Sequence, residues 1–591
     1  MSVAIVSNEM TTATAPFVGL STRVLSRSLR FDEAEVALNL QPDEGALKTR
    51  PGLKGISTAP NGGAIEGIHD YVLSDGSNLL LVKAGAQLYK VDRAADPITW
   101  TAIGDGGLTS GQIAQFVTAN NKVYIAHGGT PKATDGTGLF NWLIDPPSPA
   151  PTVASNSAVG NLDPDGTYSY KVTYYSSSWG LESPSSAETT ALDLENQSSS
   201  IQLSSLSETD DERVDKVRIY RRRIDAAEGD WLLVDEIAED GVSTYLDKKD
   251  DGMRSLDFIA PESFDSDLPE FDFISWNNDV MLATTSAEPN NLYFTESGGV
   301  TPYGFFTADN EVSSIHAYQA AWAILTRSSI WLLTGGSVRD FSFRKTIENR
   351  GCISPYGGVS RDEGVYMASD LGIYLYPLQR PVKLSGRVQT DWKNRNTSLD
   401  HKIKAIDIPE LGAIGWLYAS TPTSSSVDKL LVYFYDNSAK VSDHSWFEWK
   451  ITGLTCGDSI RDSGDDEEIT LLGFSDGRLA QLGGEDDGGT AIDWEWRTGK
   501  HDRNHPARNK HWGDCSVDCV KKTGGSVFNI HARFDEDESD YLVGTHDSSG
   551  YSHFAGRVSA QSQQIRLRFE GSGPVEIFSY AVQAILSDRP S

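Results

Sequence analysis

The sequence predicts an all-β protein built around a β-propeller, and three observations lead to this fold class. The first is a repeat: residues 116–126 (FVTANNKVYIA) recur as residues 273–283 (FISWNNDVMLA). Each copy has the pattern of a strand, a two-residue turn and a second strand, because Asn tolerates the positive φ of a tight hairpin. Weaker copies occur at residues 71–82, 317–325 and 359–367.

The second observation is the spacing of these copies. The equivalent positions are separated by 43, 157, 43 and 42 residues, and they are Leu80, Val123, Val280, Ala323 and Val365. A period near 43 residues made of hairpins is typical of propeller blades, which span roughly 40–45 residues in the best-known class. The exceptional gap equals one period plus an insertion of 114 residues, the size of a small domain.

The third observation is a second element that follows the anchors and that we interpret as the third strand of a four-stranded blade. It occurs at Leu88-Tyr89, Leu292-Tyr293, Ile330-Trp331 and Ile373-Tyr374. Two looser units follow, from Ile414 to Tyr435 and from Ile469 to Leu482. The count is seven blades, or six if the looser units merge. A generic all-β sandwich with frequent hairpins is the alternative.

The insertion is predicted to be an immunoglobulin- or fibronectin-like β-sandwich over residues 146–262. It begins at the proline-rich stretch 146–151, and strand patterns recur every 10–15 residues between turns rich in Gly and Ser. The predicted strands are 166–174, 201–203, 217–221, 231–234 and 244–246.

The remaining segments complete the predicted organisation. Residues 1–56 form an N-terminal arm whose last part, fixed by the turn at Pro51-Gly52, leads into the first blade as an extended strand. Blades occupy residues 57–145 and 263–488, on either side of the insertion. Residues 489–591 form a C-terminal β module with strands at 492–498, 527–530, 564–569 and 575–580.

Composition limits the possible functions. No apolar run approaches the roughly 20 residues of a membrane span, and residues 1–20 lack the pattern of a signal peptide. Four cysteines in 591 residues provide no disulfide framework, which fits a reducing cytoplasm. The 83 acidic and 51 basic residues give a net charge of −32. Such a chain does not grip nucleic acid, but its surface could let DNA slide past.

Two groups of side chains are candidates for a binding site. The densest set of metal-ligand types is His501, His505, His511, Cys515 and Cys519, yet its spacing does not match a zinc finger or ribbon. Ordinary half-buried residues are therefore the favoured interpretation. The run Arg221–Arg223 could contact phosphate, although a charged run more often protects an exposed strand edge from aggregation.

No catalytic motif emerges. Ser-Asp-Gly or Ser-Asp-Leu-Gly sequences at Ser74, Ser369 and Ser475 are better explained as hairpin turns than as the Asp-box of sialidases. A phosphate-binding Gly-Lys-Thr loop, a nucleophile elbow and a His-Glu-x-x-His helix are missing from the sequence. We therefore predict no enzyme activity, no catalytic residue, no cofactor and no metal.

Several short motifs, in this order, resemble those of the tail nozzle and head-completion proteins of short-tailed bacteriophages (packaged-DNA stabilisation or tail tubular protein B). They are residues 39–42 (NLQP), 50–53 (RPGL), 289–294 (PNNLYF), 351–354 (GCIS), 365–374 (VYMASDLGIY) and 496–498 (WRT). The inserted sandwich departs from the plainest members of that family.

This resemblance implies a structural virion protein, assembled in the host cytoplasm. Six identical subunits would form a ring below the portal and adaptor, contacting tail fibres or spikes. The ring would conduct and retain duplex DNA without spanning a membrane. Two alternatives remain: a glycan-binding or glycan-cleaving, sialidase-like propeller, and a scaffold propeller that binds other proteins.

Overall fold

The computed structural model describes residues 8–14, 17–23, 25–43, 45–196, 198–226, 228–261, 268–435, 445–461, 467–522, 528–537, 539–547 and 549–590. The start of the predicted arm (1–7), the predicted boundary at residue 262 and Val527 lie outside these residues. The chain divides into two compact units. Unit 1 comprises Met1–Gly129, Asp135–Thr137 and Phe271–Ser591, and unit 2 comprises Thr130–Thr134 and Gly138–Glu270.

Unit 1 contains a ring of seven strands, each the first strand of a blade. Every strand contacts the next, and the last contacts the first, which closes the circle. In chain order they are Ile65–Val72, Gln115–Ala119, Phe273–Asn277, Val312–Tyr318, Gly358–Arg361, Lys404–Ile408 and Leu454–Arg461. The fold is therefore a seven-bladed propeller, which confirms the predicted fold class and selects seven blades over six.

In each blade the remaining strands lie outward from the first strand, and each pairs antiparallel with its neighbour. They are, for blade 1, Asn78–Ala84, Gln87–Asp92 and Thr99–Ile103; for blade 2, Lys122–Ala126; for blade 3, Val280–Thr284, Asn291–Thr295 and Pro302–Thr307; for blade 4, Ala321–Thr326, Ser329–Thr334 and Ser342–Glu348; for blade 5, Gly364–Ser369, Gly372–Tyr376 and Val382–Lys383; for blade 6, Ala413–Tyr418, Lys429–Phe434 and Ser445–Trp449; for blade 7, Glu468–Phe474, Arg478–Leu482 and Leu53–Thr58.

The repeat found in the sequence corresponds to the second strand of successive blades. All five anchor positions lie on second strands, and the third-strand pairs lie on third strands. The predicted tight turns are present, with positive φ at Asn120 and Asn121 in blade 2 and at Asn278 and Asp279 in blade 3. In blade 3 the turn lies one residue later than the Asn pair, because Asn277 ends the first strand.

The propeller is closed by a strand from the N-terminal part of the chain. Leu53–Thr58 pairs antiparallel with Arg478–Leu482 as the fourth strand of blade 7. The expectation that this segment enters the first blade is therefore wrong. The preceding Gly52 lies against the backbone of Asp486, where a Cβ atom would be 1.9 Å from a carbonyl oxygen. Buried Arg50 anchors the junction through an ion pair with Asp487 (2.6 Å).

Blade 6 continues into the C-terminal module through the N-terminal segment. Its last strand pairs with Gly19–Leu20 and Glu33–Leu38, and the same sheet goes on through Asp493–Thr498, Ile565–Ser572, Phe528–Phe534 and Tyr541–His546. A second sheet of the module contains Leu40–Asp43, Ala46–Thr49, Val575–Pro590, Arg508–Lys521 and Gly550–Ser562, with Asn8–Thr14 paired to Val575–Pro590. The segment predicted as an arm thus supplies strands to both sheets.

One apolar core runs from the propeller into this module. A single cluster of buried side chains includes Trp416 and Trp446 from blade 6 and Trp496, Trp512 and Phe569 from the module. Trp449 is fully buried and donates a hydrogen bond from Nε1 to the carbonyl oxygen of Leu40 (2.8 Å). Blade 6, the N-terminal strands and the module therefore form one packed body.

Unit 2 contains two antiparallel sheets and a short hairpin. One sheet has the order Thr152–Asn156, Ser200–Ser204, Thr244–Asp247; the other has the order Leu181–Glu182, Thr167–Ser176, Lys216–Arg223, Leu232–Ala238, Ser255–Ile259, with Leu192–Asp193 beside Thr167–Ser176. The hairpin joins Lys132–Thr134 to Leu139–Asn141. Every strand predicted in the insertion is present, and the compact unit extends beyond the predicted limits at both ends.

Helices are scarce in the described residues. The single α-helix is Gln389–Asn394, and the 3₁₀ helices are Ser26–Ser28, Asp251–Met253, Thr397–Lys402 and Pro409–Leu411. Within the described ranges, no helix has the length and apolar character needed to cross a bilayer.

Candidate functional site: the axial cavity of the propeller

The first strands of the blades surround a cavity of about 330 Å³. Its lining comes from six of the seven blades, and the polar members include Gln115, His316, Ser360, Lys404, Asp407 and Asp458. These residues span the sequence from Gln115 to Asp458. They meet because each blade places its first strand at the axis.

Two carboxylates give the cavity its acidic character. Water reaches Asp458, but the surrounding protein raises the pKa of its carboxyl group to about 6, against the opposing effect of the Lys404 ammonium group. Burial also raises the pKa of Asp407, although Arg361 donates an ion-paired hydrogen bond to its Oδ2 (2.7 Å). Enclosure outweighs the nearby positive charges at both positions.

The histidines near the axis are neutral at pH 7. Burial lowers the pKa of His316 to about 4, with no charged neighbour contributing, and its Nε2 lies 3.2 Å from the hydroxyl of Ser314. Gly358 of blade 5 packs against this ring, since a Cβ there would lie 2.3 Å from Nε2. Burial likewise lowers the pKa of His69 to about 4, where its ring stacks on Phe116 (5.4 Å).

The cavity brings together two carboxyl groups with raised pKa values, an ammonium group and a neutral histidine. The hydroxyl of Ser314 contacts His316, but burial alone sets the pKa of this histidine, so no carboxylate polarises it as a triad requires. The hydroxyl of Tyr356 donates to the carbonyl oxygen of Ile113 (3.2 Å). The described lining includes no tryptophan or arginine, the residues that a glycan-cleaving propeller would place at its axis.

The candidate metal ligands of the C-terminal module do not converge. Cys515 and Cys519 are buried within the strand Arg508–Lys521, and burial raises the pKa of their thiols to about 12 and about 11. His511 of that strand is exposed and contacts Gln561. His501 packs against Phe31, with ring centroids 4.2 Å apart. In the described part of the chain, no three His, Cys, Asp or Glu side chains are grouped to hold a metal.

The arginine run of unit 2 lies on a central strand and is held in internal ion pairs. Arg221 is fully buried and pairs with Asp247 (2.5 Å) and Asp251 (2.7 Å). Arg222 pairs with Glu188 (3.1 Å), and Arg223 pairs with Asp163 and Asp225. The exposed-edge interpretation of this run is wrong, because its strand is central in the sheet. The ion pairs with acidic side chains give the phosphate interpretation no support.

The Ser-Asp-Gly sequences form hairpin turns, as predicted. The Asp75 carboxylate accepts hydrogen bonds from the backbone nitrogen and hydroxyl of Ser77, and Asp476 accepts from Arg478. The axial residues themselves were not singled out from the sequence. The available signal was their position on the first strand of each repeat.

Comparison with known proteins gives little beyond the fold. No protein-family model matches the chain, and no curated protein matches it. Solved structures with some similarity include YCF48 from Cyanidioschyzon merolae, at 10% identity and a TM-score of 0.25, covering 72% of this chain and 98% of that one. KlHsv2 with loop 6CD replaced by a Gly-Ser linker has 9% identity and a TM-score of 0.25, and the match covers 66% of this chain and 98% of that one. A chain from the mitotic checkpoint complex has 10% identity and a TM-score of 0.29, and the match covers 73% of this chain and 95% of that one. At these values the neighbours carry no argument about function, and the propeller assignment comes from the strand pairings described above.

Proposed function

We propose that this chain is a structural protein whose propeller holds other protein subunits and performs no catalysis. The observation that carries this proposal is the ten-stranded sheet joining blade 6, the N-terminal strands and the C-terminal module. Backbone hydrogen bonds and a common apolar core connect these parts, so they move as one body. Such a rigid body suits a scaffold better than an enzyme that must open and close around a substrate.

The character of the axial cavity supports the same proposal. Arg361 pairs with the carboxylate of Asp407, and His316 is buried and neutral, so the cavity does not provide the histidine-based activation of a nucleophile. Asp407 and Asp458 supply the clustered carboxyl groups that the glycan-cleaving alternative requires, but the described lining does not supply the stacked Trp or the Arg triad that it also requires. The scaffold alternative requires only stable blade edges and loops.

A more specific assembly is the nozzle ring of a short-tailed phage, and this proposal rests on the sequence motifs that resemble that family. The net charge of −32 is compatible with it. A ring of strongly acidic subunits would repel phosphate, so duplex DNA could pass without adhering to the wall. Retention of DNA would then depend on steric closure.

Imaging separates the specific proposal from the broader one. Electron microscopy of purified phage particles that contain the chain should show a ring on the tail axis, and particles made without it should lack that ring. A different location, with a protein partner retained in a pull-down, would remove the nozzle and leave the scaffold. Turnover of a host polysaccharide by the pure chain would overturn both.

DNA binding gives an independent test. The purified chain should show little affinity for a labelled 30-base-pair duplex even at about 20 mM salt, where electrostatic screening is weakest. Tight binding that weakens steeply with salt would contradict the proposed non-adhesive wall. A Lys/Arg-rich DNA-binding domain under the same conditions serves as the positive control.

A further inference from the structure

An apolar patch lies at one edge of unit 2. Among the exposed large apolar side chains of the described residues, the tightest group along the sequence comprises Met253 (69% exposed), Leu256 (79%), Phe258 (47%) and Ile259 (53%). We call these four residues the 253–259 patch. Scattered exposed apolar residues are ordinary, whereas a concentrated group marks an interaction surface.

Three residues of the patch lie on the last strand of the larger sheet of unit 2, and Met253 ends the 3₁₀ helix before it. Within the described residues, Ser255–Ile259 pairs with Leu232–Ala238 alone, and its register shifts so that Ser255 and Ile259 face adjacent residues of that strand. The three residues between them bulge outward. A bulged edge resists the addition of a further strand, so the side chains, not the backbone, form the contact surface.

The ring of Phe258 packs against the guanidinium group of Arg218. The guanidinium group of Arg218 lies 5.2 Å from the centre of its ring and 3.6 Å from that of Tyr175. Glu182 and Glu236 pair with the same guanidinium group. The aromatic ring is therefore fixed before any partner arrives, which lowers the entropy lost on binding.

The unit that carries the patch is strongly acidic. Unit 2 contains 27 acidic and 11 basic residues, a net charge of −16, which is half of the whole chain's charge in less than a quarter of its length. Most of its basic side chains are already in internal ion pairs, namely Arg213, Lys216, Arg218, Arg221, Arg222, Arg223, Lys249 and Arg254. The unpaired surplus is negative, and Asp257 lies exposed within the patch itself.

We propose that the 253–259 patch is a docking site for a segment of a partner protein that combines apolar side chains with Lys or Arg. The apolar side chains of the segment would cover Leu256 and Phe258, and its cations would face the acidic surface around them. A second copy of this chain is not the proposed occupant, because a two-fold contact between two patches would set the exposed Asp257 of one copy against that of the other and would supply no cation. Asp257 likewise disfavours an anionic membrane as the occupant.

Three model peptides test the proposal on the full chain. Fluorescence anisotropy compares the labelled peptides Ac-LKLKLKLK-NH₂, Ac-LELELELE-NH₂ and Ac-SKSKSKSK-NH₂ at 50 mM salt. We expect the first to bind at least tenfold more tightly than the other two, because it alone supplies both apolar contact and positive charge. Equal binding of LK and SK peptides would overturn the apolar site, and equal binding of LK and LE peptides would overturn the electrostatic part.

Substitutions locate the site. M253S/L256S should weaken binding of the LK peptide at least tenfold, and it leaves the Phe258–Arg218 contact intact. The matched control Y541S/L542S, which changes two exposed apolar residues of the C-terminal module, should leave the affinity unchanged. Equal loss in both variants would overturn the assignment. So would self-association of the wild-type chain in sedimentation that M253S/L256S abolishes, or patch-dependent binding to phosphatidylcholine vesicles.

Discussion

Replacing Asp247 by Asn should destabilise unit 2 far more than an ordinary loss of a salt bridge. Asp247 and Arg221 have fully buried side chains, and Arg221 Nη1 lies 2.5 Å from Asp247 Oδ2. The same oxygen accepts a hydrogen bond from the hydroxyl of Tyr170 (2.7 Å). Asn removes the negative charge, and its NH₂ group must replace one carboxylate oxygen, either Oδ2 or the Oδ1 that accepts from the backbone nitrogen of Lys249 (2.9 Å), so one donor loses its acceptor. A buried guanidinium group is then left without its main counter-ion.

The magnitude follows from what remains around Arg221. Removing one partner of a buried ion pair costs about 3–5 kcal/mol. Asp251 still pairs with Nη2 (2.7 Å) and is partly exposed, so we expect the lower end, about 3 kcal/mol. Hydrogen exchange of the strands Thr167–Ser176 and Lys216–Arg223 reports the opening of unit 2. A loss of about 3 kcal/mol corresponds to exchange roughly 150-fold faster.

Two further variants make this test decisive. Asp163→Asn removes an exposed partner of Arg223 and should leave exchange in these strands close to the wild-type rate. Arg221→Met with Asp247→Leu replaces the buried pair by apolar side chains and should recover most of the lost stability. The reasoning is refuted if these strands exchange hydrogen at the wild-type rate in the Asp247→Asn variant, or no faster than in the Asp163→Asn variant.

Three further predictions concern unit 1. Burial raises the pKa of Asp391 to about 6, so the folded state favours the protonated form of this carboxyl group. The stability gained from the protonated carboxyl group is fully present below about pH 4 and is lost as the pH rises through 6. Asp391→Asn should therefore stabilise the chain by up to about 3 kcal/mol at pH 8 and have little effect at pH 3.5 in urea unfolding, unlike the exposed control Asp362→Asn. Gly52→Ala should destabilise blade 7 by about 2 kcal/mol or more, because its Cβ would meet the Asp486 carbonyl, whereas Gly336→Ala, with open space around it, should be neutral in thermal unfolding. Gly358→Ala should displace His316 and shift the NMR resonances of its ring, and an unchanged spectrum would contradict the packing described for the axis.

The sequence predicted the parts of the fold that depend on local pattern. Tight hairpins and their spacing identified the blades, since each blade is built from neighbouring strands with its own turn residues. Closure of the ring left no such pattern: Leu53–Thr58 pairs with Arg478–Leu482, more than 400 positions away. For the same reason, the N-terminal strands were interpreted as an arm, although they complete the sheets of the C-terminal module.

The site residues show a similar division. Asp407 and Asp458 belong to different blades and are brought together only by the circular arrangement, so no motif in the sequence joins them. The error at Arg221 could have been avoided. Alternation along the strand Lys216–Arg223 places Arg221 on the same face as Val217 and Ile219, both of which are buried. A charged residue on the apolar face of a strand indicates a buried ion pair more strongly than an exposed edge.

The distribution of charge connects the two proposals and provides a joint test. The negative surplus repels phosphate, which allows DNA to pass a wall made of this chain, and it attracts a basic segment toward the 253–259 patch. Screening by salt reduces both effects, but with opposite consequences for binding. Raising the salt concentration from about 50 to 500 mM should weaken binding of the LK peptide to the chain. The weak affinity of the chain for DNA should stay unchanged or rise slightly. If both affinities fell together, cationic side chains would be available on the surface, and the charge argument behind both proposals would fail.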